Sequence, residues 1–172
     1  MLFRISLIGI IISSIFIFAA CKNDSSTAPG LSGNDQAAVI QKTSNMTKSN
    51  GQVSVMSANQ INNGAHWEVK VDMPGDGGIV KFEYFVSNNE LKEIKGLTPS
   101  FNYEIEPENG LINYSSAKQT ALNAVSGGII EWKLEFDLSD NMWQYRFDIL
   151  SNGSEWEVRI NANNGDVVRV KN

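Results

Sequence analysis

From Ile130 to the C-terminus the chain repeats one pattern four times: a run of alternating apolar and polar residues, then a cluster of turn formers. Ile130, Trp132, Leu134 and Phe136 alternate with Glu131, Lys133, Glu135 and Asp137. Trp143, Tyr145, Phe147 and Ile149 alternate with Gln144, Arg146 and Asp148. Trp156, Val158 and Ile160 alternate with Glu157, Arg159 and Asn161, and Val168 and Val170 alternate with Arg169 and Lys171. Successive side chains on a strand point to opposite faces, so each run offers one apolar and one wet face. The breaks at 139–141, 151–153 and 163–165 are Ser, Asp, Asn and Gly, which favour turns. Asn164-Gly165 suits a two-residue hairpin turn with positive φ. These constraints predict an antiparallel meander.

A helix precedes the meander. Ala117, Ala121, Leu122 and Val125 recur at helical spacing within residues 116–125. A serine is the expected N-cap, since its hydroxyl accepts a free backbone N–H. Gly127-Gly128 supplies the stop. The helix would cover one face of the sheet.

These residues resemble the PepSY domain family. The resemblance rests on the helix at 116–125, the glycines at 127–128, the strand at 143–149 and the closing stretch at 156–168. That stretch is similar to the family's E-V-x-I/V-D-A-x-T-G-E-V pattern, with Asn161, Asn164 and Asp166 at positions where Asp, Thr and Glu are commoner. The resemblance implies a small extracytoplasmic, non-catalytic domain, of a kind proposed to inhibit peptidases or act locally in the envelope. It carries no shared active site.

The first residues read as an address. Arg4 precedes an apolar run from Ile5 to Ile17, and Ala19-Ala20 stand before Cys21. This is the layout of an export signal over 1–20, and the run is too short to be read first as a membrane span. Phe18-Ala19-Ala20-Cys21 resembles a bacterial lipobox, so Cys21 is the expected lipidation site and membrane anchor. It is the only cysteine, which excludes an internal disulfide. Residues 21–35 are mostly Asn, Asp, Ser, Thr, Pro and Gly and read as a flexible tether. The expected location is the bacterial cell envelope, lipid-anchored, at the outer membrane facing the periplasm or the cell surface.

Residues 36–98 read as a degenerate first copy of the C-terminal unit. An offset of 76 positions sets Trp67 on Trp143, Lys70 on Arg146, Val80, Phe82 and Tyr84 on Trp156, Val158 and Ile160, and Ile94 on Val170. Strand parity survives, so the same faces would be apolar. Asn89 replaces Gly165, and asparagine tolerates the left-handed conformation. The copy is weakest at its start, where Thr43, Ser44, Asn45, Thr47 and Ser49 are indifferent helix formers. The fold expected is α+β: two PepSY-like units, 36–98 and 111–172, each a helix packed on an antiparallel β-meander. Residues 99–110 connect them, with Phe101, Tyr103 and Ile105 alternating as an extra strand.

No catalytic constellation stands out. His66 is the sole histidine and falls on a polar strand face, without partners for a Ser-His-Asp set. No Cys or His cluster exists for zinc, and no cofactor is expected. The glycines around 75–78 precede no helix, so they form a hairpin turn rather than a phosphate loop. Glu104, Glu106 and Glu108 form an acidic patch that reads either as a cation site or as a solvated strand edge. Removing residues 1–20 removes one of 14 basic residues and none of 19 acidic ones, leaving a net charge of −6. With no basic stripe, nucleic acid is not an expected partner.

Two function classes lead, ahead of an envelope hydrolase. One is a membrane-anchored, non-enzymatic protein- or peptide-binding module in the envelope, with a peptidase inhibitor or modulator as the specific form. The other is a structural or assembly lipoprotein. Capture is expected through a strand edge or a cleft between units. The connecting residues Phe101, Tyr103 and Glu104 are the expected partner-binding positions.

Overall fold

The computed structural model describes residues 33–75 and 77–172. Cys21, the export signal and most of the tether lie outside the described residues. Two helices and eight strands follow in the order α1 (Gly33–Thr47), β1 (Ser54–Ile61), β2 (His66–Met73), β3 (Gly78–Phe85), β4 (Leu91–Gly96), α2 (Tyr114–Ala124), β5 (Gly128–Asp137), β6 (Met142–Ser151), β7 (Ser154–Asn161) and β8 (Val167–Lys171). All eight strands form one antiparallel sheet in chain order. The fold is therefore α+β, with β1 and β8 as its edges.

Alternation sets the faces. Val69, Val71, Phe82, Tyr84, Ile94, Trp132, Leu134, Tyr145, Phe147, Val158 and Ile160 point to one side and are buried. Both helices pack on the strands, α1 against β1 and β2, α2 against β6, β7 and β8. No described helix packs on the other face, which is charged.

The first and last hairpins of the two halves match at the offset of 76, whereas the middle ones differ by two residues in register, with Lys70↔Lys81 in β2–β3 and Arg146↔Arg159 in β6–β7. β3 pairs with β4 through Glu83↔Glu93 and then, past a shift, Tyr84↔Leu91. β7 pairs with β8 through Arg159↔Arg169 and then Ile160↔Val167, with the shift at the equivalent step. Ile61↔His66 closes the first hairpin and Asp137↔Met142 the fifth-to-sixth, again equivalent positions. The β3–β4 and β7–β8 turns share their hydrogen bonds: Asn89 N–H donates to Phe85 O and Gly165 N–H to Asn161 O, both at 2.8 Å. Asn89 holds φ +55° and Gly165 φ +83°, so asparagine does occupy the left-handed position. The two halves meet where β4 pairs with β5 through Glu93↔Glu135, Ile94↔Leu134 and Lys95↔Lys133.

Several local expectations change. The helix of the first unit starts at Gly33, inside the segment read as tether and ahead of the unit's expected start at 36, and ends in a 3-10 turn over Lys48–Asn50. It forms despite its composition because Thr43 and Thr47 are buried and satisfied. Thr43 Oγ1 lies 2.9 Å from Val39 O and 2.6 Å from Tyr84 Oη, and Thr47 Oγ1 donates to Thr43 O. Back-bonding to the preceding turn lets these residues sit inside a helix. The α1 residues that face the core, Val39 and Met46, match Tyr114 and Ala121 of α2 at an offset of 75, so helix and strands differ by one residue in phase.

The cap of α2 is Asn113 rather than a serine: its side chain accepts from Ser116 N–H at 3.0 Å. The two-residue turn lies at Asn152-Gly153, with φ +50° and +80°, where Ser151 pairs with Ser154. Asn164-Gly165 belongs to the wider β7–β8 turn instead. Residues 97–113 contain no strand, so the expected strand through Phe101, Tyr103 and Ile105 is not formed. The segment runs as irregular chain whose alternate side chains sink into the core.

Candidate functional site

The connecting segment is pinned from below. Phe101, Tyr103 and Ile105 are all buried. Trp132 Nε1 donates to Tyr103 Oη at 2.8 Å, and Tyr145 Oη donates to Ile112 O at 2.9 Å. Phe101 O accepts from Lys118 Nζ at 2.9 Å and from Tyr114 Oη at 3.3 Å. The rings of Tyr103, Tyr114 and Trp132 lie 4.4–6.1 Å apart between centroids. Burial pushes the Tyr103, Tyr114 and Tyr145 hydroxyls far above the usual phenol range, so they act as neutral hydrogen-bonding groups. Gly96 permits this packing: a Cβ there would stand 2.4 Å from Trp132 Nε1 and 2.7 Å from Phe101 Cε1.

This places the residues expected to bind a partner. Phe101 and Tyr103 are buried, and Phe101 reaches only the floor of a groove of about 260 Å³ that Lys118 and Leu122 also line. Glu104 is half-buried, and its carboxylate accepts from Ile105 N–H and Ser115 N–H at 2.9 and 3.2 Å. Of the acidic patch, Glu106 faces Lys48 at 3.3 Å and Glu108 faces Lys42 at 3.1 Å. Among the described residues no group of three His, Cys, Asp or Glu side chains is placed to hold a metal ion. His66 Nδ1 lies 2.8 Å from Asn62 Nδ2, and its ring meets Phe85 edge-on. It pairs with no carboxylate among the described residues.

The open face carries a pattern that depends on strand register. Lys70, Lys81, Lys95, Lys133, Arg146, Arg159 and Arg169 stand directly opposite one another across β2 to β8. Seven cations thus form one continuous row. Like charges in directly opposite positions repel, and flanking carboxylates offset this. Lys70 meets Glu68 at 2.8 Å, Lys95 meets Glu131 at 2.9 Å and Lys133 meets Glu135 at 2.7 Å. Lys81 bridges Glu83 and Glu93 at 2.6 and 2.9 Å, Arg146 bridges Asp148 and Glu157 at 2.9 and 3.1 Å, and Arg159 bridges Glu157 and Asp137 at 2.9 and 3.0 Å.

The titration of these groups reflects the layer. Burial opposes ionisation of Glu83, but its bonds to Lys81 and Lys92 outweigh that and hold its carboxyl below the usual range. Burial likewise opposes the Lys81 charge, and the bonds to Glu83 and Glu93 raise it above the usual lysine range. The bond from Lys95 lowers Glu131, and the bond to Asp148 raises Arg146.

The two edges differ. On β1, Gln36 Nε2 donates to Ala58 O at 2.5 Å, so a helix side chain already occupies part of that edge. β1 carries no charge and contains a bulge between Val55 and Ser57. Among the described residues β8 pairs with β7 alone, and all five of its residues are exposed. Val167, Val168 and Val170 are 41–45% exposed, an apolar strip along a free hydrogen-bonding edge. A separate groove of about 440 Å³ lies where the halves meet, lined by Phe85, Leu91, Phe136, Leu138 and Trp143 with Glu90 and Lys92.

Residues 111–171 match the PepSY family. That family is described as the peptidase propeptide and YPEB domain, and the match spans α2 and β5 to β8. The expected family resemblance of the C-terminal unit holds. No curated protein matches the chain. Among solved structures, a candidate lipoprotein from Clostridium difficile 630 is similar at 19% identity, over 78% of this chain and 89% of that one, with a TM-score of 0.38. Among the described residues no helix is long and apolar enough to cross a membrane.

The edge residues of β8 went unsingled as a site in the sequence, although Val168, Arg169, Val170 and Lys171 were legible as a strand. What marks them is position: being last in an unclosed sheet.

Proposed function

We propose that this protein is a lipid-anchored, extracytoplasmic module that binds a protein or peptide and performs no chemistry of its own. The observation that carries this reading is the free β8 edge at the end of the PepSY segment, exposed on every residue. Exposed edges add extended peptides as further strands, with main-chain bonds for affinity and alternate side chains for selection. The family's description as a peptidase propeptide domain favours a peptidase as the partner, inhibited or modulated by the module. In this reading Cys21 carries the acyl anchor, the chain sits in the bacterial envelope, and the first half is a second, degenerate PepSY-like unit. The matched registers of β3–β4 and β7–β8 support that duplication. Capture is assigned to the β8 edge in preference to Phe101, Tyr103 and Glu104, since two of those three side chains are buried.

The test is a pull-down from detergent-solubilised envelope with the full chain, paired with intact-mass analysis. The reading expects a peptidase recovered in stoichiometric amount and a mature chain that begins at an acylated Cys21. Recovery of an assembly machine without peptidase points instead to a structural lipoprotein. A processed chain without lipid removes the anchor.

A further inference from the structure

We propose that the β8 edge selects an extended strand in which carboxylates alternate with apolar residues, and this rests on the reading of β8 as the capture edge. The argument is one of charge balance along the open face. Each strand from β2 to β7 contributes a cation to the central row and at least one carboxylate beside it: Glu68, Glu83, Glu93, Glu131 and Glu135, Asp148, and Glu157. β8 contributes Arg169 and Lys171 and no carboxylate.

The shortfall is visible in the distances. Every cation of the row from Lys70 to Arg159 has a carboxylate within 3.0 Å. Among the described residues Arg169 reaches only Glu157, at 3.8 Å, and that carboxylate is already shared by Arg146 and Arg159. Lys171 has no carboxylate within 4.0 Å among the described residues, although Glu157 is its register partner. The chain as a whole is acidic, at net −5, so this edge is a local excess of positive charge.

The same edge carries valines on the other face. Val158 pairs with Val170, which places Val170 on the core side, 44% exposed. A ninth strand would set apolar side chains beside Val168 and Val170. On the open face it would set carboxylates next to Arg169 and Lys171, completing the charge pattern that the interior strands already show. Alternation of the incoming chain follows from the period of two.

The experiment titrates two synthetic hexapeptides, acetyl-(Val-Glu)3-amide and acetyl-(Val-Lys)3-amide, into the full chain and follows backbone amide NMR shifts. The acidic peptide should perturb the amides of Val167–Lys171 and bind roughly tenfold more tightly than the basic one, the ratio that two exposed charge pairs support. The double variant Arg169→Ser/Lys171→Ser, melting as the wild type does, should bind both peptides alike. Equal binding of both peptides at β8 in the wild type overturns the charge selection and leaves edge capture standing. Shifts confined to the groove near Trp143, or no shift at β8 with either peptide, overturn edge capture as well. Concentration-dependent β8 protection without peptide assigns the edge to a second copy and overturns the proposal.

Discussion

The N-terminal and C-terminal halves share strand order and the register of their first and last hairpins, differ by two residues in the register of the middle one, and fill their interiors differently. In the second half Trp132, Tyr114, Tyr145, Phe147 and Tyr103 form one aromatic cluster that also anchors the connecting segment. The first half uses Val69, Val71, Phe82, Met46 and a Thr43–Tyr84 hydroxyl pair. Met56 stands where the offset of 76 puts Trp132, and it is 55% exposed beside the β1 bulge. The lesson is that pairing register and turn geometry can coincide at the first and last hairpins when core side chains do not, while the β2–β3 and β6–β7 turns differ in length. A sheet requires apolar residues on one face; which ones decides local rigidity.

The largest expected effect separates the halves directly. Trp132→Ala should cost about 3–5 kcal/mol, as large aromatic truncations in a packed core do. Met56→Ala at the equivalent position should stay within about 0.5 kcal/mol, as exposed substitutions do. Thermal or denaturant melts of both variants check this, and equal losses would break the comparison.

Next comes Gly96→Ala, which drives a methyl group into Trp132 and Phe101 and should cost about 1–3 kcal/mol. The loss should be accompanied by release of the connecting segment, read as faster amide exchange at residues 101–105.

The shared turn gives a smaller effect and sharpens the likeness. Gly165→Ala should lose about 1 kcal/mol, since φ there is +83° and alanine disfavours it. Asn89→Gly should change stability by less than that, because both residues accept the conformation the turn imposes. A large loss at Asn89→Gly would show that its side chain, not its backbone, holds the first turn.

Much of this was legible in advance, for physical reasons. Alternation over Ile130–Lys171 marks strands because one face of a sheet must be apolar, and Asn and Gly mark turns because they accept positive φ. α1 was harder to read, since Thr43 and Thr47 become helix residues only through bonds to Val39, Tyr84 and Thr43 itself. Residues 101–105 alternate as a strand does, yet β4 pairs directly with β5 and leaves no place between them, and these residues are buried as irregular chain. The cation row was invisible for a different reason: it exists only across strands, and register had to be known before Lys70 and Arg169 belonged to one line.

The smallest expected effect concerns acid. Glu83 titrates below its ordinary value of 4.5 in the folded state, so its contribution is fully present above that value and is lost as pH falls through the lower folded value. The melting temperature should therefore decline below about pH 4.5, and Glu83→Gln should flatten part of that decline while lowering the plateau near neutrality. An unchanged acid slope would show that other carboxylates dominate the loss.

The two edges of the sheet offer the most direct test of the functional account. A photo-crosslinking side chain is placed in living cells at Val170 on β8, at Ser57 on β1, or at exposed Asn102 in the connecting segment. Crosslinking of a partner from position 170, and from neither of the others, is the predicted result. Adducts from position 57 or 102 with none from 170 would contradict capture at the β8 edge.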